Sequence, residues 1–290
     1  MAEPPDALAG HGRGSRLLGS RPFLVSTVST VVFLSVVTVI VVTSPGWPAV
    51  RESFFDPTAM KEAFFGVPEE GLPGVGQAFL LNVRIFVVAE ILILVLALVV
   101  AVIRQLPGPV FFPLRLMATV YTDVVRGIPL ILLIYLFGFG LPALGILGLS
   151  SQSEIVYGAA ALVISYSAYV AEVYRAGIES VHPSQGAAAR SLGLSRWQSM
   201  RHVVLPQAIR RVIPPLLNDF VSLQKDTALV SVLGITEAAR AAQIYSAHTF
   251  NYSSFVVAAF LFILMTIPLA RLTDWLIERA RRRRQAGGVM

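Results

Sequence analysis

Long apolar runs alternate with short polar stretches along this chain, and the lengths of the runs predict its elements. From Pro22 to Thr43 there is no charged residue and the sequence is mostly Val, Leu, Ile, Ser and Thr. A run of that length crosses a hydrocarbon core about 30 Å thick and exceeds the roughly 7–15 residues of a signal-peptide core. Pro45 and Pro48 end it, so it reads as an uncleaved N-terminal transmembrane helix over 22–43. Further apolar runs predict spans at about 79–103, 113–138, 154–176, 207–235 and 252–277. The fold class expected is an all-α membrane protein of about six transmembrane helices. Residues 1–21, with Pro4, Pro5 and several glycines, predict a disordered tail. Residues 44–78 carry Glu52, Asp56, Glu62, Glu69 and Glu70 against Arg51 and Lys61 and predict a loop between the first two spans.

Composition agrees with the pattern. The 290 residues are 55% hydrophobic and only 14% charged, against roughly 25% charged in a soluble domain. The net charge of +6 raises nucleic acid as a partner, but the basic residues cluster between apolar spans, which is a topology signal. Arg13, Arg16 and Arg21, then Arg104 and Arg115, then Arg175 to Arg211, then Arg271 to Arg284 fall on one side; 44–78, 139–153 and 236–251 carry few Lys or Arg. Both termini and the segment 176–206 are therefore expected in the cytoplasm of a multi-pass cell-membrane protein, with 44–78 external. The basic tail 278–290, with Arg281–Arg284, is expected to rest on anionic membrane lipid. No nucleic acid is expected as a partner.

One cytoplasmic segment stands out. Residues 182–205 read as two short helices: Pro183 suits a first helical position, Ala187, Ala188, Ala189 and Leu192 are strong helix formers, and Gly193 falls where a left-handed C-terminal cap is needed. Ser195 and Gln198 fit a capping box that starts a second helix with Trp197 and Met200 on one side. Pro206 is expected to end that helix, and Pro214–Pro215 to break or bend the next span. A helix of small residues with a rigid cap suits close docking of a soluble partner.

This segment resembles the EAA loop of membrane subunits of ABC importers: Ala187-Ala188-Ala189, Gly193 and the Leu205-Pro206 pair stand where the family has E-A-A, Gly and L-P. "VVRGIPLILL" (Val124–Leu133), "SAYVAEVYRAGIESV" (Ser167–Val181) and "LLNDFVSLQKDTALVSVLGITE" (Leu216–Glu237) are similar to segments of the polar amino-acid permease branch. The resemblance covers roughly 72–277. It implies a type I permease core of five helices over 79–277, with the 22–43 helix and the 44–78 loop added. It further implies a permease subunit for polar amino acids, paired with itself or a paralogue. Its partners would be two copies of an ABC ATPase subunit, docked on Ala187, Ala188, Ala189, Leu192, Gly193, Leu205 and Pro206, and an external substrate-binding protein. Transport would proceed by alternating access. Ala187 departs from the family's Glu. A permease for another small solute, or a stand-alone secondary transporter, is the alternative; the latter favours repeated halves, and 79–176 does not resemble 207–277.

The chain offers no chemistry of its own. With no Cys, no thiol mechanism or thiolate metal site exists, and neither Lys61 nor Lys225 follows a Gly as a phosphate-binding loop requires. ATP hydrolysis is expected from a separate subunit, and no cofactor or metal is expected. Charged residues in the spans each call for a partner or a pathway, since an insertion scale sets about 2.5–3.5 kcal/mol on a mid-bilayer charge. Arg84, Glu90, Arg126, Glu172, Asn218, Asp219, Lys225 and Asp226 are the polar candidates, for helix pairing or for lining a pathway. The pairs Ala161–Ser165 and Ser167–Ala171 predict a close helix contact, consistent with a pathway between two copies.

Overall fold

A computed structural model describes residues 20–146 and 148–286. The expectations for most of the 1–21 tail and for the last residues of 278–290 lie outside the described residues. The chain divides into a short unit, Met1–Ser53, and a large one, Phe54–Met290.

The short unit holds α1 (Ser20–Val42) and most of α2 (Trp47–Phe54). From Phe23 onward α1 is exposed and apolar on every side. A helix with no polar face belongs in lipid or against another apolar surface.

The large unit is all helical, with no strand among the described residues beyond one isolated bridge, Val67 to Leu72. It begins with α3 (Pro57–Phe65), capped by the Asp56 carboxylate, which accepts the Thr58 N–H at 2.9 Å. The second half of the stretch read as a loop is thus ordered, because Asp56-Pro57 supplies both a cap and a first-turn proline. α4 (Val75–Arg104) has 30 residues, about 45 Å at 1.5 Å each, and begins earlier than the 79–103 run suggested. The helix α8 (Glu154–Glu179) lies against it, with Ala89, Ala97, Ala161 and Leu162 fully buried and Ile93 1% exposed.

The expected single span at 113–138 is two helices. α5 (Phe112–Gly127) and α6 (Leu130–Tyr135) meet at 110°, because Pro129 forces Ile128 out of the α region, to φ −98° and ψ 127°. From α6 the chain continues through a π-turn, Leu136–Gly140, into the short α7 (Leu141–Ala143). α9 (Pro183–Ser191) and α10 (Arg196–Ser199) follow α8, and a π-turn, Met200–Val204, leads into α11 (Leu205–Asp226). A 3₁₀ turn (Thr227–Leu233), α12 (Ala238–Thr249) and α13 (Ser253–Ala286) complete the chain.

Pro206 does not end a helix: it stands in the first turn of α11, where a missing N–H costs nothing. Pro214 and Pro215 lie inside a helix that runs through them unbroken. Among the described residues four helices are long and apolar enough to cross a membrane, or five if the bent pair Phe112–Gly127 and Leu130–Ala143 is one span. α11, at 22 residues, is long enough for a sixth but carries Asp219, Lys225 and Asp226. The small-residue pairs of α8 serve packing within the chain, not between copies: Ala161, Ser165, Ser167 and Ala171 are all buried. Gly177 shows how close the approach is, since a Cβ there would lie 2.0 Å from Val212 Cγ2 of α11.

Candidate functional site

The segment 183–204 builds its shape from local rules. His182 caps α9, its Nδ1 facing the Ser184 N–H at 3.2 Å. At the other end the Gly193 N–H bonds Arg190 O at 2.9 Å and the Leu194 N–H bonds Ala189 O at 3.2 Å, the paired closure of a Schellman cap. Gly193 takes φ +89° and a Cβ there would meet nothing within 4 Å, so only the backbone conformation demands glycine. The Ser195–Gln198 box is formed reciprocally: the Gln198 N–H donates to Ser195 Oγ at 3.2 Å and the Ser195 N–H to Gln198 Oε1 at 2.8 Å.

Among polar residues such as Gln185, Arg190 and Arg196, this hairpin also exposes small and large apolar ones. Ala187, Ala188 and Gly193 are exposed, Leu192 is 85% exposed and Trp197 70%. Ala189 turns inward with Gly186, and the Ser199 hydroxyl donates to Gly186 O at 3.3 Å, clamping α9 to α10. Met200 does not share the side of Trp197, because the π-turn that begins at Met200 swings it under, onto an apolar groove of about 530 Å³ between α4, α8 and α11. A second hollow, about 390 Å³, lies between α9 and α10 with Arg190 and Arg196 on its wall. Leu205 is 40% exposed and Pro206 half-buried at the junction with α11.

Behind the hairpin sits a charge cluster. Glu172 of α8 accepts from Arg104 of α4 at 2.8 Å and from Arg175 on its own helix, and Arg126 of α5 stands 3.9 Å away. Arg175 also holds Glu179, and Arg211 of α11 donates to Ser180 O. Thus Arg126 and Glu172, predicted as pairing or pathway residues, are together in one cluster that ties α4, α5 and α8. Arg104 belongs to it and was missed as a candidate because it counted only as a topology charge.

The other candidates divide by face. Asp226 accepts from the Tyr166 hydroxyl of α8 at 2.6 Å. Asp219 is half-buried, its Oδ2 without a hydrogen-bond partner among the described residues, within electrostatic reach of Glu90 on α4. Asn218 and Lys225, about 100° round α11 from these aspartates, are exposed, and Arg84 is exposed on α4.

At the far end of the bundle lies a polar knot that no sequence pattern marked. Asn82 of α4 donates to Glu237 Oε2 at 2.9 Å and to Thr227 Oγ1 at 3.2 Å, and its Oδ1 accepts the Ala238 N–H at 3.1 Å. Glu237 also caps α12, taking the Ala239 and Arg240 N–H groups at 3.0 and 2.8 Å. All three side chains are 0–1% exposed. Burial pushes the Glu237 carboxyl above the usual carboxylate range, and its donors offset part of that.

Residues 109–282 match the family described as binding-protein-dependent transport system inner membrane component. The chain belongs to that family. This inner membrane component is 39% identical over 186 residues to the probable glutamine ABC transporter permease protein GlnM of Bacillus subtilis (strain 168), covering 64% of this chain and 83% of the relative. It is 32% identical to the arginine transport system permease protein ArtQ of the same organism, over 68% and 88% of the two chains. Among solved structures it is similar to an amino acid ABC transporter crystallised with histidines, at TM-score 0.65 and 32% identity, over 71% of this chain and 93% of that one. The MetNI methionine ABC transporter, at TM-score 0.59 and 16% identity, shares the fold. The relatives are permease subunits, not enzymes, and the chain is a multi-pass membrane permease of an ABC importer.

Proposed function

We propose that this permease imports polar amino acids, paired with a second permease subunit (itself or a paralogue), over two separate ATPase subunits and under an external substrate-binding protein. The observation that carries the substrate class is the relatives themselves, named for glutamine and arginine at 39% and 32% identity. A nopaline permease of Agrobacterium fabrum at 38% identity supports the second reading, another small solute of similar polarity.

The hairpin 183–204 is the ATPase-coupling element, with Ala187, Ala188, Leu192 and Gly193 presented to the partner and Ala189, Leu205 and Pro206 fixing their position. It continues through the π-turn into α11, and Arg211 of α11 donates to Ser180 O at the end of α8, so a push on the hairpin moves α8 and α11 together. Asn218 and Lys225 face the pathway; Asp226, and the Glu172 cluster with Arg126, hold the helices. Both termini and the hairpin are cytoplasmic, supported by the Lys and Arg distribution.

The test is uptake of labelled glutamine and arginine by vesicles holding this chain with its ATPase and binding protein. ATP-dependent uptake of one of them is expected. Uptake of neither, from a complex that hydrolyses ATP in response to its binding protein, would sink the substrate class. A cysteine at Ser184 should react only after permeabilisation and one at Ser150 in intact cells; the reverse overturns the orientation.

A further inference from the structure

The apolar groove between α4, α8 and α11 and the smaller hollow between α9 and α10 meet at Met200, which lines both. The junction continues along the chain, with Val204 on the wall of the hollow and Leu205 on the wall of the groove. Their chemistries differ. The groove is lined by Leu, Ile, Val, Ala and Met apart from Gln105 and Tyr174. It opens sideways, since Leu98 and Val102 of α4 and Ile209 and Ile213 of α11 are 37–54% exposed. The hollow has Arg190 and Arg196 on its wall. Among the described residues neither arginine has a carboxylate partner, and the sequence holds no Asp or Glu between Glu179 and Asp219.

Length and position say what fits. The groove follows α11 from Leu205 to Leu216, about 16 Å at 1.5 Å per residue. That is close to one leaflet's share, roughly 15 Å, of a hydrocarbon core about 30 Å thick. On α4 its wall is the last turns, from Leu98 to Leu106 just past the helix end, and there Arg115 donates to Leu106 O at 2.6 Å. An apolar slot one leaflet deep therefore ends at a set of guanidinium groups. Basic pockets between transmembrane helices suit anionic headgroups, because the guanidinium fork matches a phosphate. An acidic side chain of the ATPase would satisfy Arg190 and Arg196 but leave the groove empty. A second apolar helix would fill the groove and leave the arginines unpaired. A phospholipid satisfies both.

We infer that an anionic phospholipid of the cytoplasmic leaflet binds here, one acyl chain lying in the groove along α11 and its phosphate between Arg190 and Arg196. The leaflet rests on the orientation proposed above.

The test uses the complex with its ATPase in phosphatidylcholine nanodiscs doped with phosphatidylglycerol that carries a photoactivatable diazirine in its acyl chain. Labelled peptides are read by mass spectrometry. Label is expected within 98–106 and 200–216, displaced by plain phosphatidylglycerol about tenfold better than by added phosphatidylcholine. The double variant Arg190→Gln, Arg196→Gln should abolish that preference and leave the groove labelled. Ile209→Trp fills the slot and should remove most of the label with the arginines intact. Equal displacement by the two lipids in the wild type, which needs no variant to fold, overturns the inference and makes the groove ordinary lipid-facing surface. So does an unlabelled groove in the assembled complex, since α1 or the second permease subunit then covers it. A double variant that keeps the wild-type preference overturns the headgroup placement; if it also sheds the ATPase, the arginines belong to that interface. Uptake of neither amino acid would leave these labelling results standing, so the substrate reading fails separately. A cysteine at Ser184 that reacts in intact cells overturns the choice of leaflet along with the orientation.

Discussion

Around Glu237 the carboxylate, the Asn82 amide and the Thr227 hydroxyl meet one another inside the chain, 0–1% exposed. Around Gly193 the reverse holds: α9 and α10 close on themselves through caps, and then leave Leu192 and Trp197, 85% and 70% exposed, with none of the described residues covering them. One region is polar and sealed, the other open and presenting large apolar side chains among polar ones. Burying polar groups is tolerable only when each finds a partner, so the knot completes itself and makes one end of the bundle rigid. Exposing large apolar side chains on a capped, preorganised hairpin makes sense only if another surface covers them. The difference separates a part that holds the fold from a part that, on the coupling role proposed above, would transmit force to it.

The largest effect should come from opening the knot. Glu237→Ala would take one of two acceptors from the buried Asn82 amide and strand the part-buried Ala239 and Arg240 N–H groups. At about 1–3 kcal/mol for each unsatisfied group, and with a helix cap lost as well, roughly 3 kcal/mol or more should disappear. Thermal unfolding of the detergent-solubilised chain, followed by loss of its monodisperse species, measures it. An unchanged midpoint would mean that the knot is not what fixes that end.

Glu172 lies between the two regimes, half-buried and shared by Arg104 and Arg175. Glu172→Gln removes the charge that holds two guanidinium groups, and charge-assisted bonds of this kind are worth about 1.5–3 kcal/mol. The expected cost is about 2 kcal/mol in the same unfolding assay, with uptake reduced in addition because α4 and α8 lose their tie beside the hairpin. Normal uptake and stability together would show the cluster to be a surface feature.

At the open region stability should hardly move while function does. Gly193→Asp puts a Cβ and a charge where φ is +89° and space is free. The backbone cost is about 1 kcal/mol, and a charge carried into the docking surface adds desolvation. Uptake and substrate-stimulated ATPase should fall together by about tenfold, the equivalent of 1.4 kcal/mol, with insertion and pairing intact. Gly193→Ala should show a milder form. Wild-type transport by an intact Gly193→Asp complex would reduce 183–204 to a surface loop.

The two regions were not equally legible in the sequence. The hairpin's caps depend on residues within five positions of each other, so Pro183, Gly193, Ser195 and Gln198 announced themselves. The knot joins Asn82 to residues 145 and 155 positions away, and no periodicity marks such a meeting. The bend at Ile128-Pro129 had a local signal, the residue before a proline leaving the α region, but the surrounding apolar run hid it. Pro206 misled for the opposite reason: taken as a stop, it belongs to the first turn of the next helix. The interior tie between α8 and α11 turns on Gly177 facing Val212, a contact of shape that spacing alone does not carry.

The smallest effect tests whether the sealed end extends to α3. Tyr245, 1% exposed, donates its hydroxyl to Glu62 Oε2 at 2.9 Å, joining α12 to α3. Burial, then the Glu62 carboxylate, raises the phenol from its ordinary value of 10.0 to about 12. The folded chain therefore keeps this proton where the unfolded chain has released it. The stabilisation is fully present below pH 10 and is lost as pH climbs toward about 12. Tyr245→Phe should lower stability by about 1 kcal/mol at pH 8, the net worth of one hydrogen bond. Between pH 10 and 12 that deficit should shrink and then reverse, because only the wild type has the Tyr245 phenol to ionise; the other tyrosines titrate alike in both proteins and cancel in the difference. Parallel unfolding curves of the two proteins across that range would mean that the Tyr245–Glu62 bond does not hold α3 to the bundle, and the sealed region would end at α12.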